Sequence, residues 1–287
     1  MKIALGTVQF GMNYGVANSA GKVGLHDVRR ILDIALGAGV TTLDTAVSYG
    51  ESESLLGLVG TKDFDVVTKL PPRGDHAGSA RKWVIDHIQN SLVKLNRESL
   101  YGLLLHRPLD LMESGGDCLY EALCELKLCG LVKKIGISVY GPEELEKLCP
   151  RYDFDIVQAP MNLVDQRMYE SGWLDRLKQL EIEIHVRSAF LQGLLLMHES
   201  DRPEFFKPWS DLFLRIDEWC RDENVSLLEA CLGALVQRPQ IDKVVVGVTC
   251  QNQLEDILSS TRFRQIVPPA YLCSHDEALI NPSMWKL

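Results

Sequence analysis

No run of about 20 consecutive apolar residues occurs in the 287-residue chain, which argues against a membrane-spanning helix. Basic charge is in deficit: 30 Lys and Arg against 39 Asp and Glu leave a net charge of −9 and a pI near 5.3. That balance argues against nucleic acid or an anionic membrane as a partner, and leaves open only local basic pockets. The eight cysteines include no C-x-x-C pair, which disfavours zinc; small buried or half-buried thiols in a reducing compartment are expected, and no metal site. The opening residues, Met1-Lys2-Ile3-Ala4-Leu5-Gly6, lack the apolar core and cleavage site of a signal peptide, so a cytoplasmic location is expected. No low-complexity linker or internal repeat interrupts the chain, and residues 1–287 are read as one domain. A Gly-rich dinucleotide fingerprint is missing as well. Gly6-Thr7-Val8-Gln9-Phe10-Gly11 lacks the G-x-G-x-x-G spacing that an open doubly wound sheet would carry after its first strand.

In place of these features the chain carries a regular alternation of strand-like and helix-like segments, with 46% hydrophobic residues to supply a core. After the N-terminal run, strands are predicted at Val40–Leu43, Phe64–Thr68, Tyr101–Leu105, Lys134–Ser138, Asp155–Gln158, Glu183–Arg187 and Lys243–Gly247. Asp27 is expected to open a helix whose apolar face is Val28, Ile31, Leu32, Ala35 and Leu36. Ser79 is the expected N-cap of another, with Val84, Ile88, Leu92 and Leu95 on one side. Further helical patterns lie around Glu143–Leu148, Gly172–Leu180 and Gln251–Leu258. Cys118, Cys124 and Cys129 fall on one helix with Leu119, Leu123 and Leu126. The stretch Leu196–Asp211 is predicted to be a surface excursion. Eight strand–helix units imply a parallel sheet closed into a single (β/α)₈ (TIM) barrel.

In such a barrel, polar residues at the C-terminal strand ends converge on one mouth. Asp44, Tyr49, Lys69 and His106 sit just past or near the ends of three successive predicted strands. Reducing a carbonyl creates an alkoxide, which needs a proton donor and an electrostatic host. A phenol can donate that proton if an ammonium stabilises the phenolate it leaves behind. A carboxylate can orient the ammonium, and an imidazole can hydrogen-bond the carbonyl oxygen. Singly, each residue has a structural explanation; together they suggest chemistry.

The motifs themselves resemble those of the aldo-keto reductase superfamily. They are Leu5-Gly6-Thr7-Val8-Gln9-Phe10-Gly11, the D-T-A-x-x-Y-G-x-S-E segment Asp44–Glu53, Thr68-Lys69 and Leu105-His106-Arg107-Pro108. The likeness continues through Gly136-Ile137-Ser138, Gln158–Asn162, Arg187–Gly193, Gly247 and Gln253-Leu254. It implies an NAD(P)H-dependent oxidoreductase that reduces an aldehyde, ketone or sugar-like carbonyl. By resemblance Tyr49 is the acid, supported by Lys69, Asp44 and His106. The cofactor set it implies is Gly6, Thr7, Asp44, Ser138, Gln158, Arg187, Ser188, Gln192, Gly193, Gly247, Thr249 and Gln253. Ser138 and Gln158 are expected at the nicotinamide carboxamide, and Ser188 and Gly193 near the pyrophosphate.

Two departures stand out. Arg187 occupies a position where many relatives have a tyrosine stacked on the nicotinamide; a guanidinium can stack there, or bind a substrate carboxylate or phosphate. Between Val244 and Thr261 there is no Lys or Arg, although relatives selective for the phosphorylated cofactor often carry one. NADPH is therefore expected to bind with little preference over NADH. Met12–Asn18 and the segment after His106 are expected to wall the substrate pocket, and Phe205, Phe206 and Trp209 either join that wall or pack against the barrel. Arg107 and Arg187 hint at an anionic small-molecule substrate. The acidic chain fits a monomer or a homodimer equally. Two rivals stay open: a catalytically weak cofactor-binding regulatory subunit, and a lyase or isomerase using Lys69 as a Schiff-base nucleophile.

Overall fold

The computed structural model describes residues 1–74, 78–260 and 266–286. Eight parallel strands close into a barrel in chain order: β1 Ile3–Gly6, β2 Thr42–Asp44, β3 Asp65–Leu70, β4 Leu100–Leu105, β5 Val132–Ser138, β6 Ile156–Pro160, β7 Glu183–Arg187 and β8 Lys243–Gly247. β1 closes on β8 with Gly6 beside Gly247, and lies beside β2 with Gly6 opposite Asp44. Short Val-, Ile- and Leu-rich runs suit strands buried on both faces, since helices cover the outside and side chains fill the lumen. Most of these strands are buried along nearly their full length.

The helices follow the sequence pattern with small shifts. The one expected to open at Asp27 spans Leu25–Gly37, and Asp27 lies in its first turn, where a carboxylate complements the helix dipole. Ser79 does cap Ala80–Leu95, accepting a hydrogen bond from the Lys82 amide, and Val84, Ile88, Leu92 and Leu95 are buried. Gly116–Leu128 buries Leu119, Leu123 and Leu126, but Cys118 and Cys129 fall off that stripe and are exposed, as is Cys250. The expectation of buried or half-buried thiols thus fails at these three positions. No group of metal-ligating side chains occurs among the described residues, and no described helix is long and apolar enough to cross a membrane.

Leu196–Asp211 is more than a surface excursion. Short 3₁₀ turns at Glu199–Asp201 and Glu204–Trp209 lead into the helix Ser210–Asp222. Phe206 is buried there, edge-on to Trp285 at 4.9 Å, in a second apolar cluster with Leu194, Phe213, Ile216 and Leu279. Two adjacent aromatics in a polar stretch anchor this segment to the barrel.

At the N-terminal end, the lumen is sealed by a polar plug. Glu183 accepts from Tyr101 Oη at 2.7 Å and lies 2.8 Å from His185 Nε2, with Lys134 also bonded to it. Burial opposes its charge, but the hydrogen bonds from His185 and Lys134 outweigh that and hold the Glu183 carboxyl well below the usual range. The opposite end is left for a ligand.

Candidate active site

Glycine contacts place Tyr49. A Cβ added to Gly11 would lie 1.7 Å from the Tyr49 carbonyl oxygen, so the loop after β1 presses directly on the turn after β2. Gly50 has φ +56°, and a Cβ there would meet the Gly11 carbonyl oxygen at 2.6 Å. Neither position accepts a side chain without moving the backbone that carries the phenol. The rest of the motif braces the joint. Buried Ser52 donates to the Thr7 carbonyl at 2.9 Å, and buried Glu53 accepts from Thr68 Oγ1 at 2.7 Å.

Asp44, the last residue of β2, joins three strands. Its Oδ1 lies 2.5 Å from Lys69 Nζ on β3, and its Oδ2 accepts from Gln158 Nε2 on β6 at 2.7 Å. Lys69 is fully buried and also donates to the Thr45 carbonyl at 3.0 Å. Its Nζ is 5.1 Å from the centroid of the Tyr49 ring. Burial disfavours the ammonium, yet Asp44 and Tyr49 outweigh that and raise the Lys69 pKa. A Schiff-base nucleophile needs the opposite shift, toward a free amine.

His106 follows β4 and is held by its backbone N–H on the Leu70 carbonyl at 3.1 Å. Its ring meets Tyr49 edge to face, with centroids 5.9 Å apart and planes at 82°. Burial first, then the charges of Lys69 and Arg187, push its pKa down to about 4. The imidazole is therefore neutral at pH 7, with one N–H to donate. Its Nδ1 is buried and has no hydrogen-bond partner among the described residues.

A cavity of about 790 Å³ opens over these groups. Every residue expected at the site lines it except Lys69 and Ser138. Lys69 is bonded to Asp44, and Ser138 lies beside Gln158 with Oγ 3.4 Å from Oε1. One side of the cavity is built from backbone. Ser188, Leu191 and Gln192 take positive φ, and a Cβ on Gly193 (φ +89°) would sit 2.6 Å from Ala17 Cβ. A Cβ on Gly247 would meet Gln9 Oε1 at 2.6 Å, and that oxygen is buried without a partner among the described residues. Such a cradle, with close-packed backbone and an orphan acceptor, fits a long polar ligand of dinucleotide size.

Some expected walls lie elsewhere. Phe205, Phe206 and Trp209 pack in the second apolar cluster and do not line the cavity. Arg107 also lies outside the lining; it is paired with Asp110 at 2.9 Å and Glu113 at 2.5 Å, which removes it as an anion ligand. Met12–Asn18 contributes as expected through Tyr14, Gly15, Ala17 and Asn18. Sequence reasoning missed Gln9, Tyr140 and Asp256, which line the cavity too. Asp256 follows Gln253 by one helical turn, a spacing that puts both on one face and could have flagged it.

The match to the aldo/keto reductase family covers residues 2–268. The chain belongs to this family. Among curated relatives, this aldo/keto reductase is 25% identical over 256 residues to the uncharacterized oxidoreductase YqkF of Bacillus subtilis, covering 82% of each chain. It is 29% identical over 221 residues to the oxidoreductase YdhF of Escherichia coli, covering 71% of each. The fold is shared with the solved holo form of aldo-keto reductase AKR11C1 from Bacillus halodurans. The TM-score is 0.76 at 19% identity, over 93% of this chain and 88% of that one. Membership makes the protein an NAD(P)H-dependent oxidoreductase of carbonyl compounds, and the (β/α)₈ reading from the sequence holds.

Proposed function

We propose that this aldo/keto reductase reduces an aldehyde, ketone or sugar-like carbonyl to the alcohol, with Tyr49 as the proton donor. The observation that carries this reading is the position of the Tyr49 ring at the cavity, between the Lys69 ammonium at 5.1 Å and the edge-on His106 ring at 5.9 Å. The bound dihydronicotinamide supplies the hydride for the carbonyl carbon. As that carbon is reduced, its oxygen takes the Tyr49 Oη proton, and the Lys69 charge offsets the phenolate left behind. Neutral His106 donates its N–H to the same oxygen and fixes the direction of the carbonyl. Asp44 acts on Lys69, keeping it charged and aimed at Tyr49.

The same reading assigns the cofactor ends. Gln158, steadied by Asp44 and Ser138, faces the carboxamide. Gly6 and Thr7 line the floor, while Ser188, Gln192 and Gly193 border the pyrophosphate, with the missing side chain of Gly193 leaving it room. Gly247, Thr249 and Gln253 border the adenosine; Gln253 Oε1 already accepts from the Thr249 amide at 2.8 Å. With no Lys or Arg between Val244 and Thr261, and the Asp256 carboxylate in the lining, NADPH and NADH serve with comparable efficiency.

The test is Tyr49→Phe, assayed with a panel of carbonyls and either cofactor. Turnover should fall by about 10²–10⁴-fold, the usual worth of a placed acid. Cofactor affinity, followed by nicotinamide fluorescence, should stay near wild type. A variant that turns over at the normal rate would remove Tyr49 from the mechanism.

A further inference from the structure

We propose that Arg187 binds the carboxylate of the substrate, so that the pocket selects carbonyl compounds bearing a carboxylate, such as oxo acids, over neutral ones. The proposal rests on the reductase reading above and names its substrate class.

Arg187 ends β7 half-buried and lines the same cavity as Tyr49 and His106. Its guanidinium is fixed on three sides. Nη2 donates to the Val139 carbonyl at 3.0 Å, Nη1 donates to Ser188 Oγ at 3.3 Å, and Cζ lies 4.8 Å from the centroid of the Tyr140 ring. Tyr140 is itself held, with its backbone N–H on Glu144 Oε2 at 2.5 Å. A guanidinium has five N–H donors, and these two bonds leave the others for a ligand.

What the group lacks is a counter-ion. Among the described residues no carboxylate forms an ion pair with Arg187, whereas Arg107 after β4 and Arg167 after β6 are each paired twice. Glu144 is a nearby acid whose carboxyl feels the Arg187 charge, but it forms no ion pair with the guanidinium and its Oε2 accepts from the Tyr140 amide. A half-buried, immobilised cation with free donors is complemented by a planar pair of anionic oxygens. Its charge also reaches the reaction centre, since it helps to keep His106 neutral.

The arrangement favours a carboxylate over a phosphate dianion. A dianion wants a second cation, and neither neighbour can supply one. Lys69 is buried against Asp44, and Arg107 is paired outside the cavity. The substrate would then bridge the pocket, with its carbonyl oxygen at Tyr49 and His106 and its carboxylate on Arg187.

The test compares 4-carboxybenzaldehyde, its methyl ester and 4-formylphenyl phosphate on wild type, Arg187→Gln and Arg187→Lys, at saturating cofactor. Wild type should prefer the acid to the ester in kcat/KM by roughly 10- to 100-fold, the range for a charge-assisted hydrogen bond. Arg187→Gln should bring that ratio to about one, and Arg187→Lys should retain part of it by charge without the fork. Taking the ratio within each protein cancels any general damage to the site. An unchanged ratio in Arg187→Gln, or a wild type that prefers the phosphate, overturns the proposal. Calorimetric binding of 4-(hydroxymethyl)benzoate and its methyl ester separates the two readings. If no carbonyl is reduced but the acid binds in an Arg187-dependent way, the reductase mechanism falls and the carboxylate site stands. If turnover is normal and neither assay depends on Arg187, the reverse holds.

Discussion

Lowering the pH should cost this protein stability through His106 in a defined window. An ordinary histidine titrates near 6.5, but burial and two neighbouring cations hold the folded His106 at about 4. The unfolded chain therefore takes up a proton near pH 6.5 that the folded chain refuses until about pH 4. Stability due to the neutral ring is complete above pH 6.5 and is lost as the pH falls toward 4. The full loss is about 3 kcal/mol, at 1.36 kcal/mol for each decade of proton affinity. Glu183 adds its own loss in acid, because its folded pKa is depressed, but it does so in any variant that keeps the plug. The decisive comparison is wild type against His106→Gln, by urea unfolding of the cofactor-free proteins between pH 7.5 and 4.5. The variant should gain on wild type steadily as the pH falls, approaching the full 3 kcal/mol. Carbon-detected NMR gives a direct check, because among the seven histidines the ring signals absent from His106→Gln should not titrate above about pH 5. A His106 midpoint near 6.5, or a stability difference that does not vary with pH, would refute the reasoning.

Lys69→Met should destabilise the protein by about 3–5 kcal/mol, because it strands the buried Asp44 carboxylate with only the Gln158 amide. Adding Asp44→Asn should recover about 2 kcal/mol or more in urea unfolding; a single variant costing under about 1 kcal/mol would mean that the pair is not desolvated. Steady-state kinetics with NADPH and NADH should give kcat/KM values within roughly tenfold of each other, whereas a thousandfold preference for NADPH, about 4 kcal/mol, would refute the assignment at Thr249, Gln253 and Asp256.

Strand positions were legible where the apolar run ends on a residue that also ends the ladder. β7 and β8 have the bounds expected from sequence, Glu183–Arg187 and Lys243–Gly247. β3 was read short: it runs on to Leu70, because Lys69 pairs in register with Leu104 of β4. A lysine looks like a strand stop in a sequence, and only the Asp44 carboxylate on the adjacent strand β2 makes it a buried strand residue. β2 was read as starting early, since Val40 is apolar and buried but precedes the ladder. At the site, the motif residues could be named from order alone. Their partners could not, because Asp44 and Gln158 meet at a sequence separation of 114. Arg187 and Tyr140 likewise come together only when β5 and β7 curve into one mouth. The sequence left Phe206 open between pocket wall and barrel packing, because the Trp285 ring that covers it lies far away in the chain.

The Gln158–Asp44 hydrogen bond has one further consequence. It runs from β6 to β2, strands on opposite sides of an eight-strand ring, so the two side chains span the bore and meet in a 2.7 Å hydrogen bond. A substitution in the Val67, Leu104 and Ile156 layer that moves β6 away from β2 stretches this chord. Slack in the chord is felt at once by Lys69 on the other carboxylate oxygen. Asp44 therefore ties the position of β6 to that of the Lys69 ammonium on β3.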